Sequence, residues 1–116
     1  MDLLNVREEN RPWGKFREFT FERKSTVKMI FVKTGESLSL QYHAKRSEFW
    51  RVVQGTPEIT IGEKVVKAKV GDEFFFPIGT NHRISAPDGE VEVLEISIGE
   101  FDEKDIVRLE DKYGRS

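Results

Sequence analysis

Two histidines, a glutamine and a glutamate lie close enough along this chain to be read as one set of ligands. In Ser37-Leu38-Ser39-Leu40-Gln41-Tyr42-His43, apolar and polar side chains alternate. An extended strand would put Leu38, Leu40 and Tyr42 on one side and Ser39, Gln41 and His43 on the other. If the chain then turns and runs back as Glu48-Phe49-Trp50-Arg51-Val52, Glu48 comes opposite Gln41 and His43. The other histidine, His82, follows the tight turn Pro77-Ile78-Gly79-Thr80, where a neighbouring strand could bring it across. Two imidazoles, an amide oxygen and a carboxylate suit one divalent metal ion: zinc, manganese, iron(II), cobalt or nickel. With no cysteine in the chain, any metal must be held by nitrogen and oxygen. Spacing alone admits equally that His43 and His82 are surface histidines, with Gln41 and Glu48 as solvated neighbours.

The elements that would position these residues are short β-type runs recurring every few residues. They read as Phe16 to Glu22, Val27 to Lys33, Leu38 to His43, Phe49 to Val53, Glu58 to Ile61, Lys64 to Val70, Glu73 to Phe76 and Val91 to Ile98. Glycine or proline punctuates them at Thr34-Gly35-Glu36, Gln54-Gly55, Gly62-Glu63, Gly71-Asp72, Pro77-Ile78-Gly79 and Pro87-Asp88-Gly89, which predicts tight hairpin connections. Near the end, Asp102-Glu103-Lys104-Asp105 reads as the cap of a helical turn leading into Ile106-Val107. So many short strands bury their inward faces only if the sheet closes or folds over itself, predicting an all-β, antiparallel jelly-roll barrel with room for one small ligand.

The chain has 116 residues, the size of one domain, and residues 1–116 are read as a single unit. Nine Phe and two Trp supply a core, and 34% charged residues supply a solvated surface. Nineteen basic and twenty-one acidic residues leave a net charge of -2 with no basic block, which argues against a nucleic-acid partner. No apolar run has the length of a signal peptide or a membrane span, so the expectation is a cytoplasmic protein with no membrane partner.

The motifs resemble those of the cupins. Gly35, Gln41-x-His43, Glu48 and Gly55 lie on the first cupin motif, and Gly71, Pro77-Ile78-Gly79 and His82 on the second. Gln41 stands where the general pattern has a histidine, and in this the chain is similar to a narrower group, the type II mannose-6-phosphate isomerases. Arg11-Pro12-Trp13-Gly14, Leu38-Ser39-Leu40-Gln41-x-His43, Arg46-Ser47-Glu48-x-Trp50 and Asp105-Ile106-Val107-Arg108-Leu109-Glu110-Asp111-x-Tyr113-Gly114-Arg115 extend that likeness over nearly the whole chain. In that family this stretch is usually the C-terminal part of a two-function enzyme whose preceding part is a nucleotidyltransferase. That part lies outside these residues, and no nucleotide chemistry is carried over. Lys45 departs from the family, which usually has a further histidine there, and Ala86 departs from a position often held by asparagine.

The resemblance implies a cupin barrel in which Gln41, His43, Glu48 and His82 bind one divalent ion, zinc first among the candidates. The implied activity is interconversion of mannose 6-phosphate and fructose 6-phosphate. Moving a proton between C1 and C2 also needs a general base, and with both histidines assigned to metal Lys45 is the first candidate, aimed inward if its strand continues that far. Its alternative is a solvated turn residue. Arg11, Arg46, Arg83 and Arg115 are candidates for the phosphate of the sugar, each with a surface salt bridge as its alternative. Trp13 and Trp50 could stack on a sugar ring or serve as core or interface. Rival functions on the same fold are a non-catalytic sugar-binding cupin and a metal-dependent dioxygenase. Exposed strand edges on a small barrel lead to the expectation of a homodimer.

Overall fold

Runs of alternating side chains punctuated by glycine become strands throughout. In the computed structural model, which describes residues 6–99 and 104–110, the described residues form eleven strands and no helix. In chain order they are β1 (Arg7–Arg11), β2 (Gly14–Glu18), β3 (Ser25–Val32), β4 (Leu40–Tyr42), β5 (Arg46–Gln54), β6 (Glu58–Ile61), β7 (Lys64–Lys67), β8 (Glu73–Phe76), β9 (His82–Ser85), β10 (Val91–Gly99) and β11 (Val107–Glu110). No helix among the described residues is long and apolar enough to cross a membrane.

β3, β10, β5 and β8 form one antiparallel sheet in that order, and β11, β4, β9, β6 and β7 form a second. β1 and β2 form a separate hairpin, tied to the barrel where Arg17 donates to both carboxylate oxygens of Glu73 at 2.7 and 3.0 Å. Apart from the β1–β2 and β6–β7 hairpins, every connection from β3 onward passes from one sheet to the other. This is the antiparallel jelly roll, and it corrects the expectation of tight hairpins: most turns carry the chain across the sandwich instead of back along a neighbour. Gly55 shows why one of these turns requires glycine. It sits at φ 89°, and a Cβ there would stand 2.4 Å from the Glu90 carbonyl oxygen at the entry to β10.

The eight runs read from sequence are found as strands with altered ends. The first is shifted to Gly14–Glu18 and the sixth is shortened to Lys64–Lys67. Three strands were not anticipated, β1, β9 and β11. The last replaces the expected helical turn: Val107 and Arg108 pair with Tyr42 and Gln41 of β4, because an extended tail covers the open edge of that sheet. Residues 102 and 103 of the expected cap lie outside the described residues.

The two sheets enclose a core of Val32, Trp50, Val52, Ile59, Phe76, Ile84, Val91 and Val93, all 5% exposed or less. Each large side chain there contributes roughly 1.5–3 kcal/mol by leaving water. On the outer face of the first sheet, Phe49, Ile96 and Ile98 pack beneath Val6, Phe19 and Phe75. Strand parity assigns the faces, so β10 turns Val91, Val93, Glu95 and Ser97 inward and Ile96 and Ile98 outward.

Candidate metal centre

Inward-facing side chains change character along the barrel axis. On β5 the inward row runs from Val52 and Trp50 to Glu48 and Arg46, and on β10 from Val93 to Glu95 and Ser97. On β9 it runs from Ile84 to His82, and on β3 from Ile30 to Lys28. One end of the interior is therefore hydrocarbon and the other polar. At the polar end opens a cavity of about 410 Å3, lined in part by Lys28, Gln41, His43, Arg46, Glu48 and Glu95, with Arg108 beside them.

His43 and Glu48 line its base, where the buried His82 meets them from outside the lining. Their donor atoms all lie within 4.8 Å of one another, and the residues are 3%, 1% and 2% exposed. Gln41 and His82 are direct cross-strand partners on β4 and β9, and His43 follows the end of β4. Glu48 reaches them from the opposite sheet. The expectation of Glu48 facing Gln41 and His43 across a hairpin is thus corrected, because β4 and β5 belong to different sheets.

The histidines are oriented from behind. His43 Nδ1 is 2.6 Å from the Asp105 carbonyl oxygen and His82 Nδ1 is 2.8 Å from that of Thr80. A carbonyl can only accept, so each Nδ1 carries the proton and each Nε2 presents its lone pair to the centre of the site. Those nitrogens stand 3.2 and 2.8 Å from the same oxygen, Oε1 of Glu48. Neither Glu48 Oε1 nor His82 Nε2 has a hydrogen-bond partner among the described residues. Buried lone pairs aimed at one another repel unless a cation or proton lies between them. Ligands at zinc–ligand lengths of about 2.0–2.2 Å stand roughly 3.3 Å apart around a tetrahedral ion, close to the spacing found here. The donor set therefore fits a divalent metal. Gln41 Oε1 accepts from Ser39 Oγ at 3.1 Å and lines the same cavity, with a second lone pair to offer.

A second carboxyl lies beside the first. Ser97 Oγ is 3.2 Å from Glu48 Oε2 and 3.5 Å from Glu95 Oε1, while Trp50 Nε1 donates to Glu95 Oε2 at 2.9 Å. Burial works to raise the Glu48 carboxyl, but His43 and His82, which donate Nε2–H to it and carry positive charge when a proton takes the place of a metal, more than reverse it and hold the group well below the usual carboxylate range. Burial, followed by the charge on Glu48, pushes Glu95 up to about 7. With one hydroxyl proton at Ser97, the trio is satisfied when Glu48 is ionised and Glu95 holds a proton, in agreement with those opposite shifts.

The remaining residues singled out from sequence are dispersed. Arg46 is 7% exposed and lines the cavity, with Nη2 3.2 Å from His43 Nε2 and Nε 3.5 Å from Glu48 Oε2. That imidazole lone pair can serve Arg46 or a metal, not both. Lys45 is exposed and outside the cavity lining, since β4 ends at Tyr42 and the chain bends before Lys45. The inward aim expected for it is corrected on that ground. Arg11 lies on the β1–β2 hairpin against Glu9 and the Phe16 ring, and Arg83 pairs with Glu110 at 3.2 Å; neither lines the cavity. Arg115 lies outside the described residues. Trp50 is core, with its N–H on Glu95, and Trp13 is 73% exposed.

Sequence reading passed over Lys28, Glu95, Ser97, Asp105 and Arg108. Asp105 binds the loop after β4 three ways: its carbonyl oxygen takes His43 Nδ1–H, and its carboxylate takes the backbone N–H groups of Ala44 and Lys45 at 2.8 and 2.9 Å. A signal for Glu95 and Ser97 was present in the parity of Val91 to Ile98, which places two polar side chains on the same inward row as Val91 and Val93.

Comparison with known proteins identifies the family and the fold. A family model described as mannose-6-phosphate isomerase C-terminal matches residues 2–111. The xanthan biosynthesis protein XanB of Xanthomonas campestris is 42% identical over 108 residues, which cover 91% of this chain and 23% of that protein. A mannose-1-phosphate guanylyltransferase of Salmonella montevideo is 41% identical over 116 residues, covering 97% of this chain and 24% of that protein. The chain thus spans about a quarter of the length of these relatives. Among solved structures, a cupin protein from Bacteroides fragilis superposes with a TM-score of 0.61 at 20% identity, covering 70% of this chain and 74% of that one. Oxalate decarboxylase from Bacillus subtilis gives 0.67 at 24% identity, covering 75% of this chain and 24% of that one. These likenesses establish the cupin fold.

Proposed function

Because the chain belongs to the mannose-6-phosphate isomerase C-terminal family, we propose that it interconverts mannose 6-phosphate and fructose 6-phosphate with the aid of one divalent metal ion, zinc first among the candidates. The observation that carries the reading is the pair of imidazole lone pairs and the ionised Glu48 converging at the base of a sugar-sized cavity. Gln41, His43, Glu48 and His82 would hold the ion, which when bound supplies an electrophile for the sugar's carbonyl oxygen.

The chain's own residues supply the rest. Lys45 lies outside the cavity, and the group placed to move the proton is Glu95, a 5% exposed carboxyl that lines the cavity and is not among the proposed ligands. In the forward direction its ionised form, which a carboxyl pushed up to about 7 populates near neutral pH, takes the proton from C2 of the open-chain aldose. The C2–H electrons form the C1–C2 double bond, and the carbonyl oxygen at C1 takes up a proton to become a hydroxyl. Return of a proton to C1, with loss of the proton on the C2 oxygen, gives the ketose. Trp50 and Ser97 hold Glu95 in place by hydrogen bonds, and the apolar wall of Ile30, Leu38 and Ile106 limits access of water to the intermediate.

The working form in this reading is a homodimer joined along β3, the edge of its sheet, where Val27, Met29 and Phe31 are 60%, 41% and 68% exposed on alternate positions.

Proton transfer through an enediol has a signature distinct from sugar binding. In heavy water, metal-loaded protein should place solvent deuterium on the sugar as it interconverts the two phosphates. Tight binding of mannose 6-phosphate without exchange or conversion would instead identify a sugar-phosphate-binding cupin.

A further inference from the structure

Of the cations expected to bind the substrate's phosphate, Arg46 lines the cavity, Arg11 and Arg83 do not, and Arg115 lies outside the described residues, yet the cavity has other cations at its mouth. Lys28 and Arg108 both line it and arrive from opposite sheets. Lys28 occupies the polar end of the inward row of β3 and is the cross-strand partner of Glu95. Arg108 is the cross-strand partner of Gln41, and the register shift between Arg108 and Glu110 changes the side that follows. Arg108 thereby shares the inward side of Gln41, while Glu110 meets Arg83 away from the cavity. Lys28 is exposed and Arg108 half-buried, whereas Glu48 and Glu95 are 1% and 5% exposed. Charge is thus layered along the cavity, carboxyls at the floor and cations at the mouth, with Arg46 beside His43 and Glu48.

From this layering we infer that Lys28 and Arg108 form the seat of a phosphate monoester dianion, orienting a sugar phosphate with its reacting carbons toward Glu48 and Glu95 and its phosphate toward the opening. The identity of the ligand rests on the isomerase reading; the anion seat itself rests on the two side chains. A guanidinium offers a fork for two phosphate oxygens, and an ammonium adds a point charge on the facing wall. The opposite orientation would set the dianion against two buried carboxyls.

The test titrates inorganic phosphate into zinc-loaded protein by calorimetry, comparing wild type with Lys28→Gln, Arg108→Gln and the double variant, and with Arg83→Gln as a control on the outer face. Loss of charge-assisted hydrogen bonds should weaken phosphate binding about tenfold in each single variant and more in the double variant. Zinc content should be unchanged and Arg83→Gln should bind as wild type. In the conversion assay, KM for mannose 6-phosphate should rise with little change in kcat. Phosphate binding in folded Lys28→Gln, whose side chain is exposed, and in the double variant within twofold of wild type would overturn the inference. A wild type that binds phosphate through these residues but converts no sugar would refute the isomerase reading and leave the anion seat standing.

Discussion

At the scale of single residues, the site is built from side chains whose protonation is set by their neighbours. His43 and His82 each donate Nδ1–H to a carbonyl oxygen, which leaves Nε2 as the donor atom for a metal. Glu95 has Trp50 and Ser97 as its partners and lies next to, not among, the proposed ligands. Glu95→Gln keeps the shape and removes the proton-transfer group, so kcat should fall by about 10²–10⁴-fold with zinc content unchanged, as read by steady-state kinetics beside elemental analysis. Lys45→Gln, altering an exposed side chain outside the cavity, should leave kcat within about twofold, since surface changes away from a site rarely alter it. Much of this scale was legible in the sequence. Alternation in Ser37 to His43 puts Gln41 and His43 on one side, and the structure brings both to the cavity. The role of Glu95 was not legible, because parity says that it faces inward but not which end of the barrel is polar.

At the scale of elements, the jelly-roll path decides which residues meet. Glu48 approaches the histidines across the barrel, a contact that local strand alternation cannot reveal because it depends on β4 and β5 lying in different sheets. β11 matters for the same reason. A helical turn would have taken Asp105 and Arg108 elsewhere, whereas the extended tail pairs with β4 and lets Asp105 clamp the loop that carries His43. Asp105→Ala removes the acceptor for two backbone N–H groups and should weaken zinc binding roughly 10- to 100-fold through loss of ligand orientation. Competition with a chelating dye would measure it, and metal-free stability should fall by about 1–3 kcal/mol in urea titration. Gly55→Ala forces a side chain into a left-handed backbone position and against the Glu90 carbonyl, and should cost at least about 2 kcal/mol by the same titration. Punctuation by glycine located the turns, though not every strand end. It could not show that most of those turns cross between sheets, since a crossing turn and a hairpin turn use the same residues.

At the scale of the whole molecule, an apolar half of the barrel supplies stability and a polar half supplies chemistry. The two meet at Trp50, which is fully buried in the core and donates its N–H to Glu95. Exposed apolar side chains on β3 lie outside both halves. If two copies join there, Phe31→Lys should shift the protein toward monomer in sedimentation velocity while its zinc content stays unchanged; an unchanged distribution would place the contact elsewhere. The central claim is that the metal centre of this barrel isomerises a sugar phosphate. Its most direct test is conversion of mannose 6-phosphate to fructose 6-phosphate by purified protein, measured after zinc loading, after chelation and in His82→Ala. The account predicts turnover in the zinc-loaded protein, its loss on chelation with recovery on adding metal back, and no recovery in His82→Ala. Turnover that survives both chelation and His82→Ala, or none in a wild type shown to hold its metal, would contradict it.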